Sequence, residues 1–193
     1  LEFAVITGCL SISKESIFTG LNNLKIISIT NPMHSEHFGF VEKEVKEMLS
    51  FYGREAFFDT VKTWYDGYFF GGTKVYNPWS VINYVEQIWA DKNALPQPFW
   101  SNTSSNDIVR TLVDHADIRV KQEIEDLIGG ESIEMPVHED ITYEDIAPGN
   151  SRENMWNFLF FTGYLKKTGE RMLGNVRYIF MSIPNEEVRY IYK

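Results

Sequence analysis

The chain has 193 residues, of which 44% are hydrophobic, 15% aromatic and 23% charged, the make-up of a folded globular protein and not of a disordered one. Eighteen Lys and Arg against 27 Asp and Glu give a formal charge of -9, so no global positive field draws it to nucleic acid or to an anionic membrane surface. No apolar run approaches the roughly 20 residues of a spanning helix, no secretory signal pattern opens the chain, and the single Cys9 excludes an intrachain disulfide and favours a reducing, cytoplasmic setting.

In chain order, residues 3–6 form a short apolar, partly β-branched run ended by Thr7-Gly8, the pattern of a fully buried strand in a parallel sheet, with a buried helix as the alternative. Residues 25–30, "KIISIT", have strand propensity and stop at Asn31-Pro32. From Phe40 the period becomes helical: Val41, Val45, Met48, Leu49 and Tyr52 share one face, the charges take the other, and Gly53 ends it. A second helix is expected over 55–65, with Phe57, Val61, Trp64 and Tyr65 apolar. "YFFGGTKVY" predicts a hairpin turning at Gly71-Gly72.

Asn77-Pro78 predicts a helix start, with Trp79, Ile82, Val85, Ile88 and Trp89 continuing it. Ser104 or Ser105 can cap a helix bearing Ile108, Val109, Leu112 and Val113, and another ends at Gly129-Gly130. Ser151 can cap a helix with Met155, Trp156, Leu159 and Phe160, followed by two strands and a final helix capped by Asn185. Helix, hairpin, helix is the order of a winged-helix module. The chain is expected to be mainly α with small β elements, an α+β fold, and its open-ended first strand and last helix mark it as a piece of a longer polypeptide.

Several motifs invite chemistry. Gly71-Gly72-Thr73-Lys74 imitates a phosphate loop but lacks the spacing and the strand-to-helix context, so a hairpin turn is the better account. His34, Glu36 and His37 offer metal ligands in a short span, yet no further His or Cys lies nearby, and no metal is predicted. Glu44-Val45-Lys46 matches the E-x-K half of a PD-(D/E)XK nuclease motif, which needs a strand, whereas the local pattern is helical. Cys9 sits in an apolar run without an assignable base. In the winged-helix stretch, Lys166, Lys167, Arg171 and Arg177 leave DNA as a partner reading, while the aromatic helix over 154–162 looks like core and not like a reader of bases.

"FAVITGCLSISKESIFTGLNNLKIISI" resembles the segment of prokaryotic AAA-ATPase-like domain proteins in which a core strand ends in a Thr-Gly step, and "FGFVEKEV", "WYDGYFFGGTKVYNPWSVINY", "WSNTSSNDIVR", "NFLFFTGYL" and "IPNEEVR" resemble later landmarks of that family. The resemblance implies that 1–31 are the C-terminal strands of a P-loop core, 32–148 a helical lid with a small hairpin, and 149–193 a winged-helix-like module. It implies that Thr7 takes the sensor-1 position near the γ-phosphate, a task that suits a side chain at the C-terminal edge of a strand. Lys14, Ser16, Asn22 and Asn23 match the family segment and are candidates for shaping the junction between core and lid, the asparagines also being suited to a sharp turn.

Walker A and Walker B lie upstream in that family, so this chain alone is expected to be inactive and to bind no cofactor, with ATP and Mg expected only alongside the core. The implied function is that of a lid and winged-helix portion coupling the nucleotide state of that core to a downstream effector, often PD-(D/E)XK nuclease-like. Its own upstream core and downstream domain are then its partners. The alternative is a helical and winged-helix interaction module binding a protein or nucleic-acid partner. One departure is Val41, where the family usually has Thr, which removes an N-cap worth about 1 kcal/mol.

Overall fold

The computed structural model describes residues 27–100, 116–139 and 151–193, together with Val5, Gly8, Lys25, Ile141 and Asp145. Among these residues the fold is a mixed α+β one with six helices and two small antiparallel sheets. No helix among them is long and apolar enough to cross a membrane.

Helix α1 (Glu42–Phe51) turns Val45 and Leu49 inward. Val41 has no side-chain acceptor to cap it, and Glu44 compensates by accepting the Val41 N–H at 2.9 Å. The helix expected over 55–65 is divided: a 3-10 turn (Glu55–Phe57) precedes α2 (Phe58–Tyr65). Arg54, between α1 and that turn, donates from Nε to the Ile88 carbonyl at 2.7 Å and from its guanidinium to the Trp89 carbonyl at 3.2 Å, which satisfies the end of α3 (Pro78–Ala90).

Strands β1 (Tyr68–Phe70) and β2 (Thr73–Val75) form the expected hairpin. Gly71 and Gly72 have φ of 52° and 107°, the two positive values that a type I′ turn requires. Gly71 also lies against the chain at Asn31 and Pro32, and its N–H donates to the Ile29 carbonyl at 2.8 Å. Of the stretch 25–30, Ile26 lies outside the described residues, and the other five form no strand. Residues 27 and 28 are irregular and 29 and 30 form a turn closed by Asn31 N–H on the Ser28 carbonyl at 3.0 Å. Of the opening run, Val5 is described, and it is largely exposed in irregular backbone.

Helix α3 starts as expected, with Pro78 at its first position and Asn77 Oδ1 accepting from the Trp79 N–H at 3.0 Å. Ser80, Val81, Tyr84, Val85 and Ile88 point inward, while Trp79, Ile82 and Trp89 are about half exposed or more. The helix packs with α1 and α2 around Leu49, Val61, Tyr65, Tyr76 and Tyr84.

The second core lies under the C-terminal sheet. Helix α4 (Ile118–Gly129) is capped by Asp117, whose Oδ1 accepts the Val120 N–H at 2.8 Å, and ends at Gly130 in the left-handed region. Strand β3 (Ile133–Pro136) follows. Helix α5 (Arg152–Phe161) is capped by Ser151 and buries Met155 through Phe160 without a break, so it is core rather than a reading helix. Strands β4 (Lys166–Leu173) and β5 (Val176–Ser182) form a hairpin with β5 central, and β3 pairs with β5, Ile133 opposite Met181. This sheet therefore draws one strand from before residue 149. Helix α6 (Glu186–Tyr192), capped by Asn185 Oδ1 on the Val188 N–H at 3.0 Å, returns to contact α2 and α4.

Candidate functional site

Three short stretches far apart in the chain, 65–68, 77–80 and 184–187, meet at one joint between the helical layer and α6. The Tyr65 hydroxyl, at the end of α2, donates to the Gln97 carbonyl at 3.1 Å, which anchors the 97–100 segment. The next residue, Asp66, accepts through its carbonyl from Asn185 Nδ2 at 2.7 Å. Gly67, with φ 105°, lies so close to Pro184 that a Cβ there would overlap the Pro184 carbonyl. Only glycine combines that backbone angle with that approach.

Two residues past Asn185, Glu187 points into this joint and is 0% exposed. The Ser80 hydroxyl, itself 0% exposed, lies 2.8 Å from both Glu187 carboxylate oxygens, and the Trp100 N–H donates to Oε1 at 2.9 Å. The Phe99 amide favours the charged form as well. Among the described residues no Lys, Arg or His lies within ion-pair distance of this carboxylate. Burial outweighs the neutral donors and pushes the carboxyl up to about 6.

Lys166 closes the joint from β4, its Nζ donating to the Pro184 carbonyl at 3.1 Å. Burial lowers its pKa, and Lys74 and Arg189 act the same way against Asp66. The Tyr68 hydroxyl is buried without a well-formed hydrogen bond, with the Asn185 and Asn77 side chains as its polar neighbours. Beside the joint a cleft of about 240 Å³ opens between the β1–β2 hairpin, Trp100 and the turn before β4, lined mainly by Tyr68, Phe70, Tyr76, Trp100 and Phe161.

Apart from Lys166, the candidate residues singled out from sequence lie elsewhere. Thr7, Cys9, Lys14, Ser16, Asn22 and Asn23 are outside the described residues, as is the helix expected after Ser104 and Ser105. His34 and His37 are exposed on a 3-10 turn (Ser35–His37), their rings 6.1 Å apart, and no group of three or more potential ligands forms among the described residues. Glu44 is used in the α1 cap, and Lys46 pairs with Glu42 at 2.5 Å, so the E-x-K match is helical. Gly71-Gly72-Thr73-Lys74 is a hairpin tip. The wing cations are engaged: Lys167 and Arg177 both pair with Glu170, and Arg171 with Glu134.

Glu187 and Ser80 were not singled out. Both lie in landmark segments of the resemblance, "WYDGYFFGGTKVYNPWSVINY" and "IPNEEVR", which the fold brings together.

No family model and no solved structure matches the chain. A protein of Azotobacter chroococcum mcd 1, "Uncharacterized protein in vnfD 5'region", is 34% identical over 82 residues, a stretch covering 42% of this chain and 16% of that relative.

Proposed function

We propose that the chain is the lid and winged-helix portion of an AAA-ATPase-like protein, coupling the nucleotide state of an upstream P-loop core to a downstream effector domain and catalysing nothing by itself. The observation that carries this is the joint. Two of the segments that carry the resemblance, "WYDGYFFGGTKVYNPWSVINY" and "IPNEEVR", meet in a buried contact between the helical layer and α6, through which a movement of one would reach the other. The chain order α4, β3, α5, β4, β5, with β5 central, supports a winged-helix arrangement. Because α5 is buried and three of the four wing cations, Lys167, Arg171 and Arg177, are paired with carboxylates, this module is suited to protein contacts rather than to a DNA groove.

Under this reading ATP and Mg²⁺ belong to the upstream core, Thr7 takes the sensor-1 position, and a PD-(D/E)XK nuclease-like domain is the effector. Hydrogen exchange of the intact protein with and without ATP and Mg²⁺ tests it. Protection is expected to change at 65–68, 77–100 and 184–192. Identical exchange in both conditions removes the reading.

A second reading, an interaction module, is favoured by the outer side of α3, where Trp79, Ile82 and Trp89 are 53%, 48% and 61% exposed on one stripe. Exposed aromatic clusters of this kind are enriched in interfaces. Loss of a partner complex in Trp79→Asp, with ATP-dependent exchange unchanged, would favour it. A salt-sensitive shift of duplex DNA would assign the partner to nucleic acid.

A further inference from the structure

Glu187 differs from an ordinary buried anion in what holds it. Its partners are the Ser80 hydroxyl on α3 and the amides of residues 99 and 100, a segment anchored to α2 through Tyr65. Such donors act over short distances and narrow angles, whereas a cation would keep attracting the carboxylate after a small displacement. The grip on α6 thus requires α2, α3 and 97–100 to stand in one arrangement. At the base of α6 the Asp66 carbonyl holds Asn185 and Gly67 abuts Pro184, which gives a pivot two residues before the carboxylate.

We propose that Glu187 is an alignment-dependent catch: it seats α6 on the helical layer while Ser80 and the 99–100 amides face it, and a shift of that layer releases α6. This rests on the reading of the chain as a coupling body and names how the movement is passed on.

The neighbouring groups do not replace it. Tyr65 on α2 and Tyr68 on β1 are raised by burial, and the charge of Glu187 raises both further, so neither titrates near neutrality. Tyr84 on α3 is raised by burial as well. Asp66 and Lys166 face the 184–185 base, and on α6 itself Glu186 pairs with Arg189 at 3.1 Å. The carboxyl titrates near 6 when seated and near the ordinary 4.5 when released, so α6 is held more firmly in acid than at neutrality.

Hydrogen exchange over 188–192 in the intact protein, corrected for intrinsic rates, tests the catch. Wild-type protection is expected to fall about tenfold from pH 5 to pH 7.5, and Glu187→Gln to remove that dependence. Ser80→Ala, which takes away one donor and leaves the acid in place, is expected to lower protection about tenfold at pH 7.5 and less than about threefold at pH 5, because the lost bond is strong only to the charged form. An equal effect of Ser80→Ala at both pH values, or none, overturns the catch even where Glu187→Gln fails to fold. If the Ser80→Ala pattern is present and ATP changes nothing, the catch stands and the nucleotide reading falls. An ATP response without that pattern overturns the catch alone.

Discussion

Glu123 and Glu187, both largely shielded from solvent, tie helices together in this molecule, and they are built differently. Glu123 on α4 accepts from Arg152 Nε at 3.0 and 2.8 Å, from a second nitrogen of the same guanidinium, and from Trp156 Nε1 at 2.8 Å, with Arg119 3.7 Å away. The hydrogen bonds to Glu123 raise the Arg152 pKa. Among the described residues Glu187 is held by a hydroxyl and amides alone. A guanidinium fork tolerates small shifts and makes the α4–α5 contact a permanent brace. Neutral donors tolerate little, so the contact between α6 and the helical layer depends on alignment. The two joints separate a part that is fixed from a part that can respond.

The largest effect expected is at the brace. Arg152→Met leaves Glu123, 14% exposed, with Trp156 and the distant Arg119, and should cost about 3 kcal/mol in urea unfolding of the intact protein, near the low end for breaking a buried pair. A loss below about 1 kcal/mol would show that the brace is no firmer than a surface pair, and the contrast would break.

The next effect has a sign that sharpens the contrast. Because the Glu187 carboxyl is pushed from 4.5 to about 6 on folding, the folded state binds its proton more tightly than the unfolded chain. Its contribution to stability is full below about pH 4.5 and is lost as pH rises through about 6. Relative to Glu187→Gln, the wild type should lose about 2 kcal/mol across that window. Glu42, Glu134 and Glu170, held low by their Lys and Arg partners, titrate with the opposite sign and cancel in the difference between the two curves. A flat difference would mean that the hydroxyl and amides fully offset the burial of the carboxylate.

Smaller again is Asn185→Ala, which removes the α6 cap and the bond to the Asp66 carbonyl, at about 1.5 kcal/mol. Exchange should rise first in 186–192. If it rises equally throughout the helical layer, α6 and that layer open as one unit and the pivot is absent.

Local signals were legible in the sequence where a few neighbouring residues decide the outcome. Asn77-Pro78, Ser151 and Asn185 cap as expected, and Gly71-Gly72 turns the hairpin, because each needs only a side-chain acceptor or a positive φ. What depends on distant partners was not legible. Ser80 turns inward on the side of α3 that Val81, Tyr84, Val85 and Ile88 bury, and its partner there, Glu187, is 107 residues away. Strand β3 is four residues ending in Pro136, too short for a period, and exists through its pairing with β5. The described residues of 25–30 form no strand, and the Ile29 carbonyl there accepts from Gly71 at the hairpin tip. Glu187 itself reads as a favourable charge in the first turn of a helix, and nothing local shows that it is buried.

The smallest effect concerns the residue next to the catch. Trp79 is 53% exposed, and its backbone N–H, not its ring, bonds Asn77. Trp79→Gln should therefore change stability by no more than about 0.5 kcal/mol, as surface substitutions do, and should leave the pH dependence of α6 protection intact. Ser80→Ala, one position on, should alter that dependence. Adjacent residues with separable effects would place the hold on α6 in the hydroxyl facing Glu187 rather than in the general packing of α3. A cost above about 1 kcal/mol for Trp79→Gln would instead mean that the tryptophan face is covered in the intact protein, and the outer side of α3 would then belong to a third contact beside the two compared here.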